Sequence, residues 1–449
     1  MGMSRLRRQV IEPLYYAWSG SPRRAYWQEL EESQFLGEDV LLERQWRRLK
    51  DILAFAYAHN RFYRQRFERT GFHPSDIRTL ADMRGVPELT KQEIRAHTPD
   101  MISDGYHIET LMHFKTGGST GRALDVYLTE DCSEWRNACA RRHDRWTGWE
   151  PGEPVGAVWG NPVVPSTLKA RLRDWLLNPL IYLDTMQVTD ASVQRFAQQW
   201  GTAHPTLLYG HAHSLFVLAE YVRRLDIDSI RPRGILSTSM MLMPHERRTI
   251  EAVFGIPVTD RYGCEEVSLI GSECEHHTGM HLNIEHLYIE FIKADGTPAR
   301  PGGMGTIVVT DLMNRAMPFI RYRVEDMGVP SIGRCACGRG LPLMERVVGR
   351  TADFLIRRDG ARVAGVSLIE NTLTKIPGID QMQIVQEALD QIVVHVVPGA
   401  GFSTATVDVL SRYFRALFEG VRIDVVTTST IASEPSGKYR FSICKVQGQ

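Results

Sequence analysis

The sequence lacks long apolar runs, and none of them approaches the roughly 18 residues that a membrane-spanning helix needs. It has no excess of either charge, because 53 basic residues balance 53 acidic ones, which leaves no global field to attract nucleic acid or an anionic membrane. A signal peptide is not expected, since Glu12 and Pro13 interrupt the apolar stretch that should follow Arg5, Arg7 and Arg8. We therefore expect a cytoplasmic protein without a nucleic-acid or membrane partner.

Cysteine is scarce as well. The seven cysteines are an odd number in a large chain, which favours reduced thiols or metal ligands over a disulfide framework. Four of them stand outside any ligand pattern and are expected to be ordinary buried thiols. These four are Cys132, Cys139, Cys264 and Cys444.

The length of 449 residues exceeds the usual limit of one hydrophobic core, so two or more domains are expected. Short apolar runs, separated by segments of helix length, read as strands over 155–159, 206–209, 234–238 and 257–260. This alternation predicts a mostly parallel sheet with helical cover, and hence an α/β protein. Over 287–291 and 305–310 the pattern becomes more strand-dense, as in a β subdomain.

Near the N-terminus, an amphipathic helix is predicted to end before Gly71, with a core face of apolar residues at helical spacing. These residues are Leu42, Trp46, Leu49, Leu53 and Ala56. Further along, residues 124–128 are predicted to form a strand, and Thr129 to cap the helix that follows it.

After Gly349 the pattern changes to that of a small α+β unit of about a hundred residues. Asp359-Gly360 is a hairpin signal between two short apolar segments. Beyond this hairpin we predict helices over 367–375 and 404–418 and strands over 382–385, 392–397 and 421–426.

The most informative segment is residues 115–124, where three glycines and three hydroxyl side chains stand beside Lys115 and Arg122. Glycines let the backbone come close to a ligand, and the N–H groups can then bind phosphate. A Walker P-loop is excluded, because Gly121 is followed by Arg122 and Ala123 instead of Lys and Ser or Thr. The segment therefore predicts another kind of nucleotide binding.

Four motifs follow this loop in a fixed order. They are Tyr262-Gly263-Cys264-Glu265-Glu266, then Asp311-Leu312 with Arg321-Tyr322-Arg323 and Asp326, then Gly349-Arg350-Thr351-Ala352-Asp353, and finally Ser436-Gly437-Lys438. Together with the loop, and with Pro87-Glu88-Leu89-Thr90-Lys91 near the N-terminus, they resemble the AMP-forming adenylating enzymes. Within these enzymes the chain is similar to the phenylacetate-CoA ligase-like branch that includes CapK, and the likeness covers nearly its whole length.

The resemblance implies a large N-terminal domain over residues 1–349, with mixed sheets, helical cover and a β subdomain, and a small mobile α+β domain over 350–449. It implies an enzyme that uses ATP and Mg²⁺ to activate a carboxylic acid, expected to be aromatic, as an acyl adenylate with release of pyrophosphate. The acyl group would then pass to a thiol, expected to be that of CoA. Transfer to an amine or a carrier-protein thiol is the first alternative, and a non-catalytic zinc-stabilised scaffold is the second. The resemblance leaves a homodimer open.

It also implies roles for single residues around the nucleotide. The loop residues that would hold the β- and γ-phosphates are Thr116, Gly117, Gly118, Ser119, Thr120, Gly121 and Arg122. Tyr262, followed by Gly263, would lie on the adenine, and Glu266 would bind Mg²⁺ through a carboxylate oxygen, although Glu265 beside it leaves the choice of carboxylate open. Asp326 would accept hydrogen bonds from both ribose hydroxyls.

At the domain boundary, Arg350 would contact ribose or phosphate and Asp353 would be the hinge. Lys438, on the mobile domain, would bridge the substrate carboxylate and the α-phosphate during adenylation only, a role that suits a flexible ammonium group. Catalysis would therefore depend on Lys438, Glu266 and Arg122.

A second constellation combines the Cys335-Ala336-Cys337 segment with Cys274, which is followed by three histidines. Thiolate and imidazole are preferred zinc ligands, and a closed Cys₃His set is a structural type of site. Members of the CapK-like branch carry the same spacing. The predicted zinc ligands are Cys274, His281, Cys335 and Cys337, with His276 or His277 as substitutes for His281.

No residue identifies the acid. Ends of parallel strands are where α/β proteins bind ligands, so the pocket is sought there. The candidates are Trp159, Tyr209, His211, Ser237 and Thr238.

Overall fold

The computed structural model describes residues 2–115, 124–159, 167–177, 179–184, 188–350, 354–359, 362–364, 368, 372, 376–399, 401–431, 440 and 442–446. The chain divides into two compact units. The first unit comprises Met1–Leu242, Glu246–Val324 and Gly328–Arg346, and the second comprises Met243–His245, Glu325–Met327 and Val347–Gln449.

The α-helices, numbered in chain order, are α1 Met3–Leu6, α2 Glu12–Ser19, α3 Arg23–Ser33, α4 Glu38–His59, α5 Arg61–Thr70, α6 Lys91–His97, α7 Glu130–Trp146, α8 Leu168–Leu177, α9 Asp190–Ala203, α10 Ala212–Arg224, α11 Pro244–Phe254 and α12 Thr404–Leu417. A π-helical segment, Arg7–Ile11, joins α1 to α2, and the 3₁₀ turns are Pro74–Asp76, Leu80–Gly85, Thr98–Met101 and Ile108–Thr110. Among the described residues, no helix is both long enough and apolar enough to cross a bilayer.

The strands are β1 Met112–Lys115, β2 Asp125–Leu128, β3 Val155–Trp159, β4 Leu180–Asp184, β5 Leu207–His211, β6 Gly234–Thr238, β7 Val258–Cys264, β8 Ser268–Glu273, β9 Met280–Leu282, β10 Leu287–Ile292, β11 Gly305–Asp311, β12 Tyr322–Pro330, β13 Leu343–Arg350, β14 Phe354–Ile356, β15 Arg362–Ala364, β16 Ile379–Ala388, β17 Gln391–Pro398, β18 Arg422–Thr427 and β19 Ser442–Cys444. The predicted strands over 155–159 and 234–238 coincide with β3 and β6.

The largest sheet has the strand order β10-β11-β12-β13-β9-β8-β7-β6-β5-β3-β4. Its β4, β3, β5, β6 and β7 strands pair in parallel, which confirms the predicted parallel sheet. From β7 onward, the pairs β7–β8, β8–β9, β9–β13 and β10–β11 are antiparallel. The edge strand β4 was not predicted, and Leu180 and Tyr182 on it are exposed.

One core lies between the parallel strands and the helices α9 and α10. Val158 and Ile235 from the sheet pack there with Phe196 and Trp200 from α9, and all four are buried. Gly156 on β3 is required by this contact, because a Cβ atom there would lie 2.2 Å from the Trp200 ring. Burial of such large apolar side chains is the main force that holds sheet and helices together.

The N-terminal helix differs from its prediction. It is interrupted at Asn60, whose extended backbone ends α4 and whose side chain accepts a hydrogen bond from the Tyr63 N–H and so caps α5. Two of the five residues assigned to the core face are misplaced, since Leu42 is exposed and Trp46 is half-buried. The prediction was wrong there because the buried face of α4 starts at Leu41.

In the second unit, β16 pairs antiparallel with β17, while β17–β18 and β16–β19 are parallel. The side chains of α12 complete its core, with Leu410 and Phe414 fully buried. The predicted hairpin is present as the antiparallel pair β14–β15. The helix predicted over 367–375 lies outside the described residues, apart from residues 368 and 372, which are helical.

Candidate functional site

The Tyr262–Glu266 motif forms one strand end and the tip of the β7–β8 hairpin. Tyr262 pairs with Gly271 and Cys264 with Ser268, with a bulge after Tyr262. Gly263 has to be glycine here, because a Cβ atom would lie 2.5 Å from the Ser268 carbonyl oxygen. Ser268 itself has a left-handed φ of 66°. The local sequence therefore builds a tight tip that carries two glutamates.

These two glutamates have different environments. Glu265 is exposed, whereas Glu266 is only 5% exposed. The Tyr322 hydroxyl donates a 2.8 Å hydrogen bond to Oε1 of Glu266, and Tyr322 is itself fully buried against Phe319. The Glu266 carboxylate is therefore fixed in one orientation, whereas Glu265 is exposed to solvent.

The tip is also held from behind by Arg136 of α7. Its guanidinium donates to the main-chain carbonyl oxygens of Glu265 and Glu266 and to the Asp311 carboxylate. Neither this contact nor the role of Tyr322 was found from the sequence. Arg136 gives no local signal, because α7 carries three further arginines and the partners of Arg136 are more than a hundred residues away.

The structure describes only some of the other residues that were predicted to bind the nucleotide. Asp326 lies on β12 and is 4% exposed, and the main chain of Arg350 ends β13. The predicted phosphate loop from Thr116 to Arg122, the predicted hinge residue Asp353 and the predicted catalytic lysine, Lys438, lie outside the described residues. Their roles remain predictions.

Four of the five predicted pocket residues come together on one face of the sheet, near the carboxyl ends of its parallel strands. They belong to β3, β5 and β6, which are neighbours in the parallel order, with His211 opposite Thr238. The rings of Trp159 and Tyr209 stack with centroids 5.3 Å apart and an interplanar angle of 7°. The ring of His211 lies 3.7 Å from that of Trp159. Ser237 and Thr238 are both buried, but only Thr238, opposite His211, shares the face of these rings; Ser237, opposite Gly210, lies on the other face of the sheet.

The four predicted zinc ligands also come together. Cys274 follows β8, His281 is on β9, and Cys335 and Cys337 lie in the loop between β12 and β13. Their ligand atoms all lie within 4.8 Å of one another. The Sγ atoms of Cys274 and Cys335 are 3.6 Å apart, and Sγ of Cys337 is 3.3 Å from Nε2 of His281. Bonds of about 2.0 to 2.3 Å to one tetrahedral ion would give similar separations.

Neighbouring groups orient the side chains of this cluster. His281 Nδ1 lies 3.2 Å from the Leu341 carbonyl oxygen, which directs Nε2 at the cluster. Burial lowers the pKa of His281 to about 4, so its imidazole is neutral, as a ligand must be. The main-chain N–H groups of His276 and Arg339 donate to the sulfurs of Cys274 and Cys337.

The proposed substitutes for His281 lie elsewhere. His277 Nδ1 is 3.3 Å from a carboxylate oxygen of Glu273, and His276 is exposed. Within the described part of the chain, the donor set is therefore Cys₃His with His281, a set that fits zinc.

Of the remaining thiols, Cys132 and Cys139 are buried as predicted. Cys264 and Cys444 are half-buried, so that prediction was wrong for them. Cys264 is next to the hairpin tip and Cys444 is on the edge strand β19, and both places leave part of the side chain uncovered.

Solved structures with the same fold include a CoA ligase and an amide bond synthetase. A structure of 2-hydroxyisobutyryl-CoA ligase in the postadenylation state, in complex with an acyl-AMP, matches with a TM-score of 0.70 and 20% identity, over 91% of this chain and 89% of that one. MatB from Rhodopseudomonas palustris with bound ATP matches with a TM-score of 0.53 and 16% identity, over 76% of this chain and 68% of that one. The fold is therefore that of the adenylate-forming ligases.

Sequence relatives define the branch. Phenylacetate-coenzyme A ligase of Escherichia coli K12 is 30% identical over 331 residues, which are 71% of this chain and 73% of that protein. Protein CapK of Staphylococcus aureus is 22% identical over 421 residues, or 91% of this chain and 90% of that one. The CapK C-terminal domain family matches residues 355–445. The chain belongs to the phenylacetate-CoA ligase family of AMP-forming ligases.

Proposed function

We propose that this ligase uses MgATP to convert a carboxylic acid into an acyl adenylate and then passes the acyl group to CoA. The observation that carries the proposal is the buried Glu266 carboxylate, held by Tyr322 at the tip of a hairpin that also carries Tyr262. In this assignment Glu266 binds Mg²⁺ and Tyr262 lies on the adenine. The phosphate loop with Arg122, the Arg350–Asp353 hinge and Lys438 take the roles that the family resemblance gives them.

An aromatic acid is the proposed substrate class. The relatives are named for phenylacetate, and the stacked rings of Trp159 and Tyr209 offer an aromatic wall on one face of the sheet. Aromatic rings favour offset-stacked or edge-on contacts with other rings, which an aromatic acid would supply. We place the reaction in the cytoplasm, with small-molecule partners only.

A panel of acids tests this proposal. We expect ATP-dependent pyrophosphate release with one or more aromatic acids, and a CoA thioester detected by mass spectrometry when CoA is added. Amines and a carrier protein with a phosphopantetheine thiol are the competing acceptors in the same assay. Release of pyrophosphate with product formed only from an amine would assign the amide-forming alternative, and no release with any acid would leave the scaffold alternative.

The ribose assignment gives a separate prediction. Asp326→Ala should raise the KM for ATP about tenfold or more, because the ribose would lose a charged acceptor, while the KM for the acid changes little. Initial rates of pyrophosphate release at varied ATP and varied acid measure both constants. Asp326→Asn, which keeps the side-chain size, serves as the matched variant. An unchanged KM for ATP in both variants would remove Asp326 from the nucleotide site.

We also propose one structural zinc ion per chain, bound by Cys274, His281, Cys335 and Cys337. The donor atoms have the chemistry and the separations that such a site needs. The ion would hold the segment after β8 against the loop that precedes β13. It would supply no step of the reaction.

A further inference from the structure

Arg136 joins three segments that are distant in sequence. Its NH2 group donates to Oδ2 of Asp311 at 2.7 Å and to the carbonyl oxygen of Glu266 at 3.0 Å, and NH1 lies 3.4 Å from the carbonyl oxygen of Glu265. The side chain of Arg136 is 11% exposed and that of Asp311 is fully buried. A planar guanidinium can serve several acceptors at once, which the single ammonium group of lysine does less well.

Asp311, the carboxylate partner of Arg136, is itself held in place by main-chain hydrogen bonds. Oδ1 of Asp311 accepts hydrogen bonds from the main-chain N–H groups of Met313 and Asn314, and the Asn314 amide donates to the Tyr127 carbonyl oxygen. Arg136 itself projects from α7, whose first turn is capped by Thr129. The guanidinium therefore ties the hairpin tip to a helix and to the end of β11, both of which are fixed elements.

We propose that Arg136 is a positioning residue for the nucleotide site. It fixes the main chain of Glu265 and Glu266, while Tyr322 fixes the Glu266 carboxylate, so that Glu266 is held at its main chain and at its side chain. This inference rests on the proposed function, because it assumes that Glu266 binds Mg²⁺. Groups that orient a metal ligand in this way commonly change metal affinity or activity by about 10- to 100-fold when removed.

Arg136→Lys is the informative variant, since it keeps the charge beside Asp311 and loses the fork that reaches both carbonyl oxygens. We expect the Mg²⁺ concentration at half-maximal pyrophosphate release to rise about tenfold or more. Thioester formation from a supplied acyl adenylate should stay near the wild-type rate, because that half-reaction needs no MgATP. A loss of folded structure alone would lower both half-reactions equally.

Arg23→Lys is the matched control. Arg23 of α3 makes a two-pronged ion pair with Glu134 of α7, the helix that also carries Arg136. Among the described residues, no hydrogen bond joins Arg23 to the hairpin or to Asp311. If Arg136→Lys and Arg23→Lys have the same Mg²⁺ dependence as the wild type, the proposal is wrong. If Arg136→Lys does not fold, Arg136→Gln combined with Asp311→Asn removes both charges and replaces it in each measurement.

Hydrogen exchange separates this inference from the proposed function. The amides of residues 262–268 should exchange faster in Arg136→Lys than in the wild type or in Arg23→Lys, whether or not an acid substrate is known. Equal exchange in the three proteins would overturn the positioning role. An absence of pyrophosphate release in the wild type, with faster exchange in Arg136→Lys, would instead reject the proposed reaction and retain the hairpin contact.

Discussion

Lys438→Ala is expected to reduce acyl-adenylate formation by about 100-fold or more, while thioester formation from a supplied acyl adenylate continues at a rate near that of the wild type. The attacking carboxylate, the α-phosphate and the leaving pyrophosphate are all negative, and in the family a lysine in a Ser-Gly-Lys motif neutralises this charge. The second half-reaction does not develop that charge, so it should not need the lysine. Pyrophosphate release and thioester formation, measured separately, test the two halves.

Lys445→Ala is the matched control for this variant. Lys445 lies seven residues further along the chain and forms an ion pair with Glu387, on the surface of the second unit. Both half-reactions should be unchanged in it, because such an exposed pair contributes little. Equal loss of both half-reactions in Lys438→Ala would contradict a lysine that acts in adenylation only, and with it the proposed mobility of residues 350–449.

The parallel strands β3, β5, β6 and β7 were predictable because each is an apolar run that can be read locally, whereas their order in the sheet was not predicted. The break at Asn60 also had a local signal, since asparagine is a preferred N-cap, yet the periodicity across it suggested one helix. In the structure the Asn60 amide donates to the Met101 carbonyl oxygen and to the Ser103 hydroxyl. These distant partners make the break favourable, and no local pattern contains them.

For the predicted zinc site, the sequence indicated the cluster but did not identify its histidine. The residue types and spacing of the ligands indicated a site, but the choice among three histidines depended on family resemblance. The structure separates them through strand register: His281 on β9 is opposite Ser272 of β8 on one side and Leu343 of β13 on the other. That register brings the ends of β8 and β13 together around His281. Pairing of this kind is non-local, so the sequence alone could not settle it.

The role of Arg136 could not be predicted from the sequence. Its function depends on Glu266, which is 130 residues away, and on Asp311, which is 175 residues away. Asp311 was noticed as part of a motif and Arg136 was not, because arginine is common on helix surfaces. Only the packing of α7 against the end of β11 shows that this arginine is largely buried and paired.

Cys335→Ser is expected to remove the zinc ion and to lower the thermal midpoint by about 10 °C or more. Binding of a structural zinc contributes directly to folding, and loss of several kcal/mol produces a shift of this order in a domain of a few hundred residues. Elemental analysis of protein purified without chelator should give one zinc per wild-type chain and much less in the variant. Cys444→Ser, which alters a thiol outside the cluster, should retain the ion.

Cys335→Ser should also lower the activity of the enzyme, because loss of the zinc ion would disturb the nucleotide site. Cys274 directly follows β8, and β8 pairs with β7, which carries Tyr262 and leads to Glu266, so a loosened cluster displaces that hairpin. The KM for ATP should therefore rise more than the turnover number falls. Wild-type protein with far less than one zinc, or a variant that keeps its zinc, would show that these thiols bind no structural ion. A wild-type protein lighter by two hydrogens would indicate one disulfide in place of the ion, and Cys274 and Cys335, with Sγ atoms 3.6 Å apart, are the first pair to test by peptide mapping.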